Sequence, residues 1–169
     1  MAIVGISKTD TFDYVSDKDP CKRKVTVPAD AEKGTQASEI TIVDEGATHF
    51  TLGVLDVFLM AHIYDKSTKL TRGMSEAGED EVGIVTAVNA TNIETVRYGL
   101  HGWTNLQDAG GNDLPFKTIK KIVAGREYTV CADETLSLLG IQLIGEIGQT
   151  IKTASEVGRA EAKNSATAS

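Results

Sequence analysis

The stretch Arg97 to Phe116, RYGLHGWTNLQDAGGNDLPF, holds the single Trp of the chain, Trp103, between a helical segment and a turn. Aromatic residues make up only 5% of the sequence, and Trp and Phe carry the largest apolar areas, so this segment reads as a packing anchor. Asp108-Ala109-Gly110-Gly111-Asn112-Asp113 is a turn signal, with Trp103 and Leu106 before it and Leu114 and Phe116 after it. The pattern predicts a β-hairpin or tight extended loop with Trp103, Leu106 and Phe116 as fold anchors. Asp108, Asn112 and Asp113 are also oxygen donors around glycines, as in calcium loops, but the alternating ligands and closing Glu of an EF-hand are missing.

Upstream of the anchor, Val82, Val85, Val88 or Asn89, Ile93, Val96 and Leu100 recur at roughly helical steps, which predicts a helix from about Glu81 to Tyr98 with Gly99 as its stop. Its many β-branched residues lower intrinsic helix propensity, so packing has to hold it. Leu52, Leu55, Leu59 and Ile63 predict an earlier helix over Gly53 to Lys66, with Asp56 in the first turn and a loop from Ser67 to Asp80. His62 on that helix has no Cys, Asp or second His at ligand spacing and reads as a boundary histidine. The acidic run Glu76, Glu79, Asp80 and Glu81 reads as a solvated helix start, with a cation or basic partner as the alternative.

Downstream, Thr118–Val123 and Tyr128–Cys131 read as strands joined by a turn at Ala124 to Glu127. Asp133 is placed to cap a long last helix from Glu134 to about Ala162, with Leu136, Leu139, Leu143, Ile144, Ile147 and Ile151 as its apolar stripe. Gly140, Gly145 and Gly148 interrupt this helix, each at a cost of about 1 kcal/mol relative to Ala. Close approach of another backbone would offset that cost. Gly140, Leu143, Gly145, Ile147 and Gly148 are therefore candidates for an inter-subunit surface, against the alternative that the glycines make room for a large side chain of the same domain.

The first 50 residues carry short β signals: Thr11–Val15 and Lys24–Pro28 around an Asp17–Pro20 turn, which suggest a hairpin, and then Ile40–Val43. The expected fold is α+β, with short antiparallel β-hairpins and about three helices, the longest at the C-terminus. Its expected division is a β-rich arm over 1–50, an α+β core over 51–163 and a polar tail over 164–169.

The 169 residues suffice for one domain with a real core. With 24 acidic against 17 basic residues and a net charge of −7, no nucleic-acid backbone is expected as partner, and Cys21-Lys22-Arg23-Lys24, the one short basic run, reads as a solvated strand edge. No charged-then-apolar leader opens the sequence, and no apolar run approaches the roughly 20 residues of a membrane span, so a cytosolic product without a membrane partner is expected. Cys21 and Cys131 stand far apart without metal spacing and are expected to stay reduced. G-x-S-x-G, Walker and G-x-G-x-x-G patterns are absent, and His49, His62 and His101 are irregularly spaced. Catalytic, cofactor-binding and metal-binding residues are therefore expected to be none, with no small-molecule substrate.

VRYGLHGWTNLQDAGGNDLPF, followed by a short β segment and a DETLSLL helix, resembles small morphogenesis proteins of tailed bacteriophages, in which a glycine-tryptophan pair precedes a turn and an acidic-capped helix. THFTLGVLDVFLMAHIYD is similar to their strand-then-helix entry, and the resemblance covers residues 48 to about 144. It implies a virion structural protein of the tail or baseplate, made in the host cytoplasm, whose partners are other phage structural proteins and copies of itself. Alternatives in the same setting are a tail assembly chaperone, a head-tail connector or a capsid decoration protein. Outside it, the competing class is a small soluble enzyme or metal-binding module.

Overall fold

The computed structural model describes residues 10–27, 38–75 and 80–157. Along the chain lie β1 (Thr11–Tyr14), β2 (Lys22–Val27), β3 (Ser38–Val43), β4 (His49–Gly53), α1 (Val57–Ser75), α2 (Asp80–Gly99) and β5 (Leu100–Thr104). They are followed by β6 (Thr118–Val123), β7 (Arg126–Cys131), the short α3 (Asp133–Ser137) and α4 (Ile141–Val157). The class is α+β, with antiparallel strands in small sheets and the last helix near the C-terminus. The expected tail over 164–169, the end of the last helix beyond 157 and Glu76 and Glu79 of the acidic run lie outside the described residues.

Three sheets form: β1-β4-β5, β2-β3 and β6-β7. The expected hairpin between Thr11–Val15 and Lys24–Pro28 does not occur, because β1 pairs with β4 (Phe12 opposite Leu52) while β2 pairs with β3 (Val25 opposite Ile40). The turn at Asp17–Pro20 is present, closed by Asp19 N–H to the Ser16 carbonyl at 3.1 Å, but it redirects the chain from one sheet into another. The Asp19 carboxylate fixes that redirection, accepting the Cys21 N–H and, from the far side, the Thr48 N–H, both at 2.8 Å. A boundary at residue 50 consequently falls inside β4, and β1 belongs to the central sheet.

Asp56 accepts the Phe58 and Leu59 N–H groups at 2.9 Å each, so it caps α1 from outside instead of sitting in its first turn. The helix starts at Val57, later than expected, and continues through the segment expected to be a loop as far as Ser75. α2 packs against both α1 and α4. Its Thr95 hydroxyl is turned back onto the Thr91 carbonyl at 2.8 Å, which lets a polar β-branched residue be fully buried in a helix. Gly99 is the last residue of α2 and not a left-handed residue past its end, and glycine stands there because a Cβ would lie 2.8 Å from Ile151 Cδ1 and Cγ2.

The expected single last helix is two. Leu138 and Leu139 donate to carbonyls only three residues back, at 3.2 and 3.1 Å, and the Gly140 carbonyl accepts the Ile144 N–H at 3.0 Å to begin α4. The break lets Leu136 of α3 and Leu139 just after it, both 5% exposed, enter the core while α4 sets off with its own stripe. Asp133 is not the cap. Ala132 holds that position, and the Asp133 carboxylate pairs with Arg97 of α2.

The core gathers Phe50 and Leu52 of β4, Leu59 and Ile63 of α1, Val96 of α2 and Ile147 and Ile151 of α4. Each such side chain contributes about 1.5–3 kcal/mol by leaving water. The β6-β7 hairpin turns at Ala124 (φ 49°) and Gly125 (φ 76°), the two left-handed positions a two-residue hairpin turn requires.

Trp103 sits in β5 opposite Phe50, stacks edge-on against Phe116 with ring centroids 4.9 Å apart, and donates its indole N–H to the Leu114 carbonyl at 2.8 Å. The anchor thus ties the far side of the loop to the central sheet. Trp103→Phe is expected to lower the unfolding free energy by about 1 kcal/mol, the net worth of that hydrogen bond plus the trimmed ring, as read by urea denaturation.

Candidate functional site

The strongest convergence of polar groups from distant segments is at Glu146 on α4. Its Oε1 accepts the Tyr14 hydroxyl at 2.5 Å, the Ser16 hydroxyl at 2.7 Å and the Asp17 N–H at 3.0 Å. Burial alone would raise the Glu146 pKa. The Tyr14 and Ser16 hydroxyls and the Asp17 amide outweigh it and hold the carboxyl below its usual value. Burial and the neighbouring carboxylate push the Tyr14 phenol up, so it remains a donor at neutral pH. Three elements are fastened here by one carboxylate, with Lys18 Nζ donating to Gln142 Oε1 at 3.1 Å beside it.

Next to this latch opens a groove of about 310 Å³. Phe50, Leu106 and Leu143 supply its apolar lining, and Lys18, Gln142 and Glu146 its polar rim. Gly140 lines it, with nothing within 4 Å of where a Cβ would be.

The five interface candidates are divided by this arrangement. Gly140 and Leu143 line the groove, while Ile147 is fully buried in the core. Gly148 faces α2 of the same chain: a Cβ there would lie 3.2 Å from Asn92 Cβ and 3.3 Å from both Asn92 Cα and Asn92 O. The close approach anticipated between backbones exists at Gly148, and it is intramolecular. Lys152 Nζ seals it by donating to Asn92 Oδ1 at 2.7 Å. Gly145 is looser, with only Asn92 Nδ2 at 3.8 Å. Gly145→Ala is therefore expected to stabilise the chain by about 1 kcal/mol through helix propensity, raising Tm by about 2–4 °C in a thermal melt.

Trp103, Leu106 and Phe116 all pack against the core, as fold anchors do. The Asp108 turn closes on itself: its Oδ1 accepts the Gly110 and Asn112 N–H groups at 2.8 and 2.9 Å, and Asn112 Nδ2 reaches both carboxylate oxygens. These bonds hold the Asp108 carboxyl below its usual range. Among the described residues no three His, Cys, Asp or Glu side chains stand together as a metal site would need. His49 is paired with Asp13 across the sheet at 2.6 Å. Cys131 is buried and its thiol pushed up to about 11 by burial, so it is protonated at neutral pH. Among the described residues no helix is long and apolar enough to cross a membrane.

A second ensemble runs through the partly buried Arg97, which bonds Glu94 at 3.1 Å and Asp133, while Lys66 and Lys121 approach Glu94 at 3.5 and 3.9 Å. It ties α1, α2, β6 and α3 together by charge and has the geometry of a structural clamp.

Outward, the chain presents apolar side chains on its two-stranded sheets, with Ile122 of β6 74% exposed and Ile40 of β3 45% exposed. Val57 and Phe58 at the start of α1 are exposed as well, and the Arg126 guanidinium lies 4.9 Å over the Phe58 ring. Neither Glu146 nor these faces were singled out from the sequence. The signal for Glu146 was a lone carboxylate amid Leu143, Ile144 and Ile147, and for the hairpins an alternation without a partner face.

No family model, no curated protein and no solved structure matches this chain.

Proposed function

We infer that this chain is a bacteriophage virion structural protein, a component of the tail or baseplate that acts by contact with neighbouring subunits. The observation that carries the reading is the outward display of apolar side chains, Ile122 and Ile40 foremost, on two-stranded sheets that no third strand joins among the described residues. Strands of this kind join other chains, since unpaired N–H and C=O groups and exposed apolar area are both satisfied by a partner. The resemblance carried by residues 48 to 144 supplies the setting. In that role the interior clamps at Arg97 and Glu146 keep the subunit rigid while its margins adhere.

Quantitative mass spectrometry of purified particles tests this. A virion component is present in many copies per particle. A chain found in infected cells but absent from finished particles would fit an assembly chaperone and overturn the structural role, and location at the head would favour a connector or decoration protein.

A further inference from the structure

We propose that the β2-β3 hairpin joins copies of this chain head to tail, the open edge of β3 on one copy pairing with the open edge of β2 on the next. The inference deepens the contact-subunit reading by naming the surface and the partner.

The ladder shows which backbone groups are available. Asp44 donates its N–H to the Cys21 carbonyl at 2.9 Å, one step beyond the Lys22–Val43 pair. Antiparallel pairs alternate between hydrogen-bonded and open, so Arg23–Ile42 and Val25–Ile40 are bonded pairs, while Lys24–Thr41 and Thr26–Glu39 turn their N–H and C=O groups outward. The Lys22 N–H, also outward, is taken by the Asp19 carbonyl at 3.0 Å. The β3 edge is then Glu39, Thr41 and Val43, and the β2 edge Lys24 and Thr26.

Val25, Ile40 and Ile42 share one face of the hairpin with Arg23, and among the described residues no other helix or strand packs extensively on it. A two-stranded sheet alone in water is marginal, whereas one continued by further strands, with its apolar face extended into a strip, is stable.

Charge selects the second copy and the pairing. Within the chain Lys22 pairs with Asp17 and Arg23 with Asp44, while Lys24 stands on the outward edge of β2 and Glu39 on that of β3. Two β2 edges facing each other would oppose lysine to lysine. β3 against β2 brings Glu39 of one copy towards Lys24 of the next, and opposite charges across strands stabilise where like charges repel. The contact joins two different surfaces, so it propagates until a ring closes or a filament forms.

The test uses the full chain, followed by light scattering after size exclusion and by sedimentation over a range of concentrations. Wild type is expected to form species of several chains that dissociate on dilution. Thr41→Pro deletes an outward N–H and no bond inside the hairpin, so it is expected to weaken association about tenfold or more with an unchanged melting profile. Glu39→Lys and Lys24→Glu should each weaken association, and the Glu39→Lys/Lys24→Glu chain should recover it, an outcome no misfolded arm would give. A wild type that stays monomeric at every concentration, a Thr41→Pro chain that associates as wild type does, or a double variant without recovery would overturn the proposal. Abundance in particles together with unimpaired assembly of Thr41→Pro sinks this inference alone. Arm-dependent self-association of a chain absent from particles sinks the virion role alone.

Discussion

Gly148→Leu is expected to lower the unfolding free energy by about 3 kcal/mol, at the upper end of what overpacking costs. The neighbours at this position cannot give way. Two of the three atoms closest to a Cβ at this position, Asn92 Cα and Asn92 O at 3.3 Å, belong to the backbone of α2. A Leu side chain can be accommodated only by moving α4 away, which uncovers Ile147 and Ile151, both fully buried, and pulls Lys152 from Asn92. Urea denaturation should show a lower midpoint with a similar slope. Stability near that of wild type would mean that α2 and α4 are not closed on each other in the monomer, and the glycines would return to candidacy as a seam between chains.

Glu146→Ala has the next largest effect, an expected loss of about 2 kcal/mol at neutral pH, because the Ser16 and Tyr14 hydroxyls lose a charged acceptor in a partly buried place. The effect depends on pH in a definite direction. In the fold Glu146 is held below the ordinary glutamate value, so its contribution is fully present above that ordinary value and is lost as pH falls through the depressed folded value. The gap in stability between wild type and Glu146→Ala should therefore be widest at neutral pH and narrow steadily in acid. Chemical denaturation at a series of pH values reads this directly. A gap that keeps its size into strong acid would show that the carboxylate charge has no part in fastening β1 and the following turn to α4.

The parts of the fold legible in the sequence are those whose local pattern agrees with their final neighbours. The stripe Leu143, Ile144, Ile147 and Ile151 specifies α4, and the Ala124-Gly125 pair between alternating segments specifies the β6-β7 hairpin. Trp103 could be identified as an anchor because a lone indole between turn residues has little else to do. Pairing across sequence distance was not legible. Asp19-Pro20 marks a turn equally well whether the next strand returns beside the last one or leaves for another sheet, and the deciding bond, Asp19 to Thr48, spans 29 residues. The same holds for Gly148. A glycine in a helix announces close approach, and nothing local says that the approaching backbone is Asn92 of the same chain. Periodicity also ran through the break at Leu138–Gly140, because Leu136 and Leu139 remain core residues on both readings. Glu146 was hidden for a related reason: its partners lie 129 to 132 residues away, and only the fold brings them to it.

Two surfaces stand against each other: α4, closed inward on α2, and the strand margins proposed to meet other chains. Residue-resolved amide hydrogen exchange of the full chain, at a dilution where it is dissociated and at a concentration where it assembles, compares the two surfaces in one experiment. Assembly should slow exchange at Lys24, Thr26, Glu39, Thr41 and Val43 and leave the amides of Gly145 to Ile151 equally protected in both states. New protection along Gly145 to Ile151, with the β2 and β3 edges exchanging as fast as before, would contradict this division of surfaces.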